Sequence, residues 1–278
     1  MRARTGPAAG SGSLSSRPMA PDDEPVVRGL IDADWLPGQP SAHELLTATD
    51  ESPQGLETLV VCDPHGEVAG VVRCQVRAAD DAGLIVWLHG REDFEVIAAL
   101  IALARARLGD RELYACTGSA TATGIAGLPT GHRPVTARAL TAADFVQAAA
   151  QRYFLRDLAS APPAPPAYPL ADVTALTQPA GWRLELTGTD GQPLASATLL
   201  APAPATAGMA VLPQLTVQPR QRRRGIGSHL LAQCLHHAHI HGAGHVTAVI
   251  PEGDTAAAHL LAGAAFLLLD TLTVYRRP

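Results

Sequence analysis

Leu215-Thr216-Val217-Gln218-Pro219-Arg220-Gln221-Arg222-Arg223-Arg224-Gly225-Ile226-Gly227-Ser228 is the stretch on which the reading of this 278-residue chain turns. It runs from a short β-type segment through a Pro-containing turn and a basic cluster with two glycines into a helix start. From Ile226 onward, Leu230, Leu231, Cys234, Leu235 and Ala238 recur at steps of three and four and form one apolar face. A strand that feeds a glycine-containing loop into a helix N-terminus is an anion site. Its first amides have no acceptor, and the helix dipole adds partial positive charge. Gly225 and Gly227 admit a phosphate where a Cβ would intrude. The arginines add forked donors for phosphate oxygens.

Two common phosphate motifs do not fit. No run supplies the spacing of a P-loop, and Leu230 stands where a dinucleotide fingerprint needs a third small residue. Arg222-x-x-Gly225-x-Gly227, after a strand ending in Leu215-Thr216-Val217, instead resembles the acyl-CoA site of the GCN5-related N-acetyltransferases (the GNAT superfamily). The order downstream resembles it too: a helix, a strand over 245–250, an Ala-rich helix after Glu252-Gly253-Asp254, Ala265-Phe266, and a last strand over 268–275.

The resemblance implies a site. Leu215, Thr216 and Val217 would pair with the pantetheine arm of acetyl-CoA as if it were an added strand. The backbone of Arg223, Arg224, Gly225, Ile226, Gly227 and Ser228, with the Arg222 side chain, would cradle the pyrophosphate. Asp254 stands where the family often has Asn near the CoA arm; a carboxylate still caps a helix but cannot donate. The implied reaction moves an acetyl group to an amine of an unidentified acceptor. The chain departs from the family at its usual catalytic places. Pro213, followed by Gln214, replaces the carboxylate that often serves as base, and Leu261 replaces a tyrosine that often serves as acid. Glu252 is the remaining candidate base, and Tyr275 reads as a strand residue of the core.

Composition narrows the classes. Hydrophobic residues are 47% and charged ones 17%, as in ordinary globular proteins. The formal net charge of −5 gives no general attraction to nucleic acid or membrane. Every basic residue is Arg. Cys62, Cys74, Cys116 and Cys234 have no CxxC spacing and read as packed thiols, not a disulfide or metal framework. His229, His236, His237, His239 and His241 share one helix, but no carboxylate or cysteine completes a ligand set, so no metal is expected. His229, His236 and His239 fall opposite the apolar stripe and are expected in solvent. No apolar run is long enough for a membrane span, and a cytoplasmic location is expected.

Residues 1–25, rich in Gly, Ala, Ser and Pro, read as a disordered tail. Residues 58–76 read as a hairpin about Asp63-Pro64-His65-Gly66, and 84–88 as a further strand. A helix follows from Phe94 with Asp93 as its cap, then a strand over 112–117, a helix near 138–143 and a closing strand over 152–158. Residues 159–170 are a Pro-rich linker. The second half repeats this order. Gly191 follows Gly66 by 125 positions, Phe266 follows Phe145 by 121, and Ala139–Phe145 parallels Leu260–Phe266. The reading is therefore an α/β (α+β) chain of two GNAT-like units at 26–158 and 171–278, each a mixed, mostly antiparallel sheet flanked by helices. At the decisive loop the first unit has Leu88-His89-Gly90-Arg91-Glu92-Asp93, whose carboxylates would repel a pyrophosphate. It reads as a degenerate copy. By architecture the layout is similar to mycothiol synthase-type acetyltransferases. Two other classes stay open: a non-catalytic acyl-CoA sensor or scaffold, favoured by the missing acid and base, and an interaction module built on the degenerate first half.

Overall fold

The computed structural model describes residues 13–37, 39–47, 56–117, 126–202 and 208–278. The first half supplies β1 (Ser15–Pro18), α1 (Glu24–Ala33), α2 (Ala42–Thr47), β2 (Glu57–Cys62), β3 (Val68–Arg77), β4 (Ala82–His89), α3 (Phe94–Leu108), β5 (Leu113–Ala115), β6 (Leu128–Pro129), α4 (Pro134–Ala142) and β7 (Val146–Asp157). The second half supplies β8 (Asp172–Thr177), β9 (Ala180–Thr187), β10 (Pro193–Leu200), β11 (Met209–Val217), α5 (Ile226–Ile240), β12 (His245–Pro251), α6 (Thr255–Gly263) and β13 (Leu267–Arg277). Each hairpin, strand and helix expected from the sequence has a counterpart here. The mixed, mostly antiparallel sheet flanked by helices is the expected fold class.

Local chemistry explains the long elements. Asp93 accepts from the amides of Glu95 and Val96 and so starts α3, a cap that contributes about 1 kcal/mol. Ile97, Leu100, Ile101, Ala104 and Leu108 then bury one face of that helix. Both short helices before the closing strands end alike. The Phe145 amide donates to Leu140 and the Phe266 amide to Leu261, each across a residue of positive φ, Asp144 and Ala265. This is the reversal that stops a helix and turns the chain into a strand.

The described strands form one sheet in the order β1-β2-β3-β4-β5-β13-β7-β12-β11-β10-β9-β8, with β6 beside β13. The closing strands are exchanged. β13, from the end of the chain, lies antiparallel to β5 of the first half, and β7 lies antiparallel to β12 of the second. β7 and β13 also pair with each other along most of their length. The cores record the exchange: Tyr275 of β13 is buried among α3, α4 and the first-half strands, and Phe154 of β7 among α5, α6 and the second-half strands. Tyr275 is thus a core residue, as read from the sequence, but of the opposite half.

Other departures have local causes. The tail expected to be disordered carries β1 beside β2, and the Asp23 carboxylate, held by Arg17, accepts from the Ala20 amide. Polar composition hid a short edge strand whose backbone bonds do not depend on burial; residues 1–12 of that tail lie outside the described residues. α1, unread in the sequence, buries Val27, Leu30 and Ile31 against Val60, Val71 and Trp87. β8 is an edge strand with nearly every side chain exposed, so it carries no apolar alternation. Among the described residues no helix is long and apolar enough to cross a membrane.

Candidate active site

β11 and β12 run parallel only where Met209–Leu212 face His245–Ala248. Beyond that point they part. β11 continues along β10, and β12 along β7. The parting coincides with a bulge, because Thr198 pairs with Gln214 but Leu200 with Val211, leaving extra chain at Leu212 and Pro213. A proline fits there because no ladder bond is asked of its nitrogen. The gap holds a slot of about 70 Å³ between Pro213, Gln214 and Leu215 on one side and Val249 and Ile250 on the other, with Leu261 at its base.

The slot lies beside a larger cleft of about 660 Å³, with which it shares Leu215, Ala257 and Leu260. Of the residues singled out in the sequence, Leu215, Val217, Arg222, Arg223, Gly225, Gly227, Ser228 and Asp254 line the cleft. Thr216, Arg224 and Ile226 do not. Thr216 alternates with its lining neighbours on the strand, Arg224 turns to the Gln221 side chain at 3.1 Å, and Ile226 packs against the second-half core. Gln221, Ala256, Ala257, His259 and Leu260 also line the cleft and were missed. Small residues at the start of α6 were the available signal.

Backbone geometry shapes the loop. Gly225 is the N-cap of α5 with φ 79° and offers no side chain to the first turn. The amides of Ile226, Gly227 and Ser228 therefore have no acceptor within the helix. A Cβ on Gly227 would stand 3.3 Å from Val217 Cγ2 and 3.6 Å from Leu260. Arg222 donates through Nε to the Val217 carbonyl at 3.2 Å, bracing the turn. Asp254 caps α6 through Oδ1 to the Ala257 amide at 2.9 Å, and its carbonyl accepts from Arg152 of β7 at 2.9 Å. The exchanged strand therefore holds one rim of the cleft.

The catalytic candidates are sparse. Glu252 is exposed, with its amide on the Ala150 carbonyl at 3.2 Å, where β12 ends against β7. Leu261 is buried in the core and carries no acid. The α5 histidines differ from expectation. His229, His236 and His239 are partly buried, not solvated. His229 and Gln233 both reach the Pro169 carbonyl, at 2.7 and 3.0 Å, and the Ala171 amide donates to Gln233 at 2.7 Å. The linker is latched onto α5. His237 and His241 stack with ring centroids 4.1 Å apart beside Trp182. Among the described residues no cluster of three or more metal-ligating side chains occurs.

The corresponding loop of the first half is closed. Arg91 and Glu92 both have positive φ, and the Glu92 carboxylate accepts from the amides of Val135 and Thr136 at the start of α4. Glu92 thus occupies the N-terminus of α4, the counterpart of α6, and the N-terminus of α3, the counterpart of α5, is covered by the Asp93 carboxylate, which accepts from the amides of Glu95 and Val96.

The family model described as "Acetyltransferase (GNAT) family" matches residues 149–266. No curated protein sequence matches the chain. Among solved structures, a GCN5-related N-acetyltransferase from Sphaerobacter thermophilus is similar at 17% identity over 95% of this chain and 96% of that one, with a TM-score of 0.66. A tandem GNAT protein from the clavulanic acid biosynthesis pathway is similar at 16% identity over 95% of this chain and 98% of that one, with a TM-score of 0.59. At such identities the likeness is one of fold.

Proposed function

We propose, because residues 149–266 match the model described as "Acetyltransferase (GNAT) family", that the second half transfers an acetyl group from acetyl-CoA to an amine of a separate acceptor. One observation carries the reading: β11 and β12 separate beside a cleft that ends on the uncapped first turn of α5, among Arg222 and Arg223. An extended pantetheine arm fits the open edge of Leu215–Val217 by adding main-chain hydrogen bonds. The diphosphate fits the amides of Ile226, Gly227 and Ser228. An amide of the freed segment of β11 is placed to donate to the thioester oxygen, whose charge grows in the transition state. The halves act as two units of unequal role. The second binds the cofactor, and the first does not, since the Asp93 carboxylate already caps the matching terminus, that of α3.

Glu252 is the candidate base for the acceptor amine. A non-catalytic acyl-CoA sensor is the second reading, and it is favoured by one observation: Pro213 and Leu261 remove an acid and a base from the slot. Calorimetric titration with acetyl-CoA, beside thiol release across a panel of amines, tests both. Binding with turnover supports the transferase, and binding without thiol release supports the sensor. Gly227→Trp is expected to abolish binding by filling the approach to Val217 and Leu260. Unchanged binding in that variant would move the cofactor elsewhere. Glu252→Gln is expected to leave CoA affinity unchanged and lower turnover about a hundredfold, the scale of one general base.

A further inference from the structure

A second pocket lies in the first half, where β4 and β5 part after Gly83–Ile85 pair with Leu113–Ala115. It has a volume of about 80 Å³ and shares no lining residue with the cleft beside α5. Its wall is ionic and buried. Asp34, His89 and Arg133 are 5%, 7% and 4% exposed. His89 Nδ1 is 2.9 Å from Asp34 Oδ2, and Arg133 Nη2 is 3.2 Å from the same oxygen. Arg133 also reaches Glu92 at 3.3 Å, the Leu88 carbonyl at 2.9 Å and Thr136 Oγ1 at 3.0 Å. Each formal charge in this cluster is therefore answered within the protein, and nothing on the wall calls for an ion.

Two polar atoms are left over. With Asp34 ionised, His89 donates from Nδ1, which leaves Nε2 as a bare acceptor with no protein partner among the described residues. Trp87, two positions away on β4 and 6% exposed, lines the same pocket, and its indole N–H is buried without a partner. The two rings are 5.7 Å apart between centroids, near enough for one small group to touch both. That group must donate to an imidazole nitrogen and accept from an indole N–H. A hydroxyl does both through one oxygen. A carboxylate would lack the proton, and an ammonium would lack the lone pair. Either ion would also be desolvated with no countercharge to meet it.

We propose that this first-half pocket is a second ligand site that takes the hydroxyl group of a small neutral alcohol or polyol, held between His89 Nε2 and the Trp87 indole N–H. An orphaned buried donor beside an open acceptor is the mark of a missing partner. The pocket is too small for more than the end of a molecule, so the remainder of a larger alcohol projects from its mouth, past the half-exposed Trp35. The site needs no cofactor and no residue of the transfer cleft.

The test follows the indole ¹H–¹⁵N resonance of Trp87 in the full chain, assigned by its loss in Trp87→Phe. Ethanol, 1,2-ethanediol and glycerol are titrated, with acetate and ethylammonium as charged controls. The expected result is a saturable shift with at least one alcohol and none with either ion. Gly227→Trp should leave the shift intact, and His89→Leu should remove it. Should His89→Leu not fold, calorimetry on Trp87→Phe, which removes the N–H donor together with part of the ring, should show affinity down at least about tenfold, the scale of one hydrogen bond. Absence of a saturable shift with every alcohol would mean that the pocket holds water only and would overturn the proposal. So would equal binding of an ion, unchanged affinity in Trp87→Phe, or loss of the shift in Gly227→Trp.

Discussion

His89 is held neutral by its surroundings. Burial, followed by the Arg133 charge, pushes its pKa down to about 4, and the Asp34 hydrogen bond only partly opposes this. Burial would raise the Asp34 carboxyl, but the His89 hydrogen bond and the Arg133 charge outweigh it and hold that group below its ordinary value. The sign for stability follows from proton counts. Between its ordinary value of 6.5 and about 4, His89 is protonated in the unfolded chain but not in the folded one. Stability therefore falls as pH drops through that window. Asp34, with its pKa depressed, loses its contribution as pH falls still further. Urea midpoints at pH 7 and pH 4.5 are expected to differ in favour of pH 7, and His89→Gln should shrink the difference. Equal midpoints in the parent protein would show that His89 is not buried as described. This network was illegible in the sequence because Asp34, His89 and Arg133 are far apart in the chain. Gly225 and Gly227 were legible because a loop before a helix start states its geometry locally. Gln233 was not, since a glutamine on an apolar helix face gives no sign that it will bond the linker.

Helix ends and strand breaks decide where the clefts lie. α6 must stop at Ala265 so that Phe266 can bond back to Leu261 and β13 can begin. Ala265 does this at φ 58°, which an L side chain adopts at a cost. Ala265→Gly is expected to stabilise the protein by about 0.5–1 kcal/mol in chemical unfolding, with no change in CoA binding. A loss of stability would mean that the Ala265 methyl packs more usefully than its backbone strains. The latch between α5 and the linker invites a second substitution. Gln233→Leu strands the Ala171 amide and removes a donor from the Pro169 carbonyl, so it should cost about 1–3 kcal/mol. Hydrogen exchange at Ala171 should quicken in this variant; unchanged protection would show the latch to be incidental. The order of these elements was readable because turns, caps and apolar periods are written within a few residues. The bulge at Pro213 was not, since the residue was read only for the carboxylate it replaces, whereas in the sheet it marks where β11 leaves β12.

At the scale of the molecule, the repeat was legible and the pairing was not. The spacing from Phe145 to Phe266 reports a duplicated order, but no local pattern says that β7 joins β12 and β13 joins β5. Pairing over such separations is set by which edges are open once both halves have formed. One consequence concerns fragments. Residues 146–266 hold β7, β8, β9, β10, β11, β12, α5 and α6 in continuous chain, an unbroken sheet from β7 to β8. The family match, 149–266, falls within these bounds. A fragment of 146–266 is expected to fold and bind CoA, whereas 171–278 should not, because it lacks the neighbour of β12. Circular dichroism and calorimetry on both pieces decide the point, and a well-folded, CoA-binding 171–278 would refute it.

The crossed ends also tie the two halves into a single melting event. Neither half of the sheet can fray without pulling away a strand that the other depends on, so calorimetric scans should show one endotherm. A compound seated in either cleft would then raise the temperature at which both collapse. Two unrelated ligands would each protect the whole chain, and heat alone would not reveal which pocket was filled.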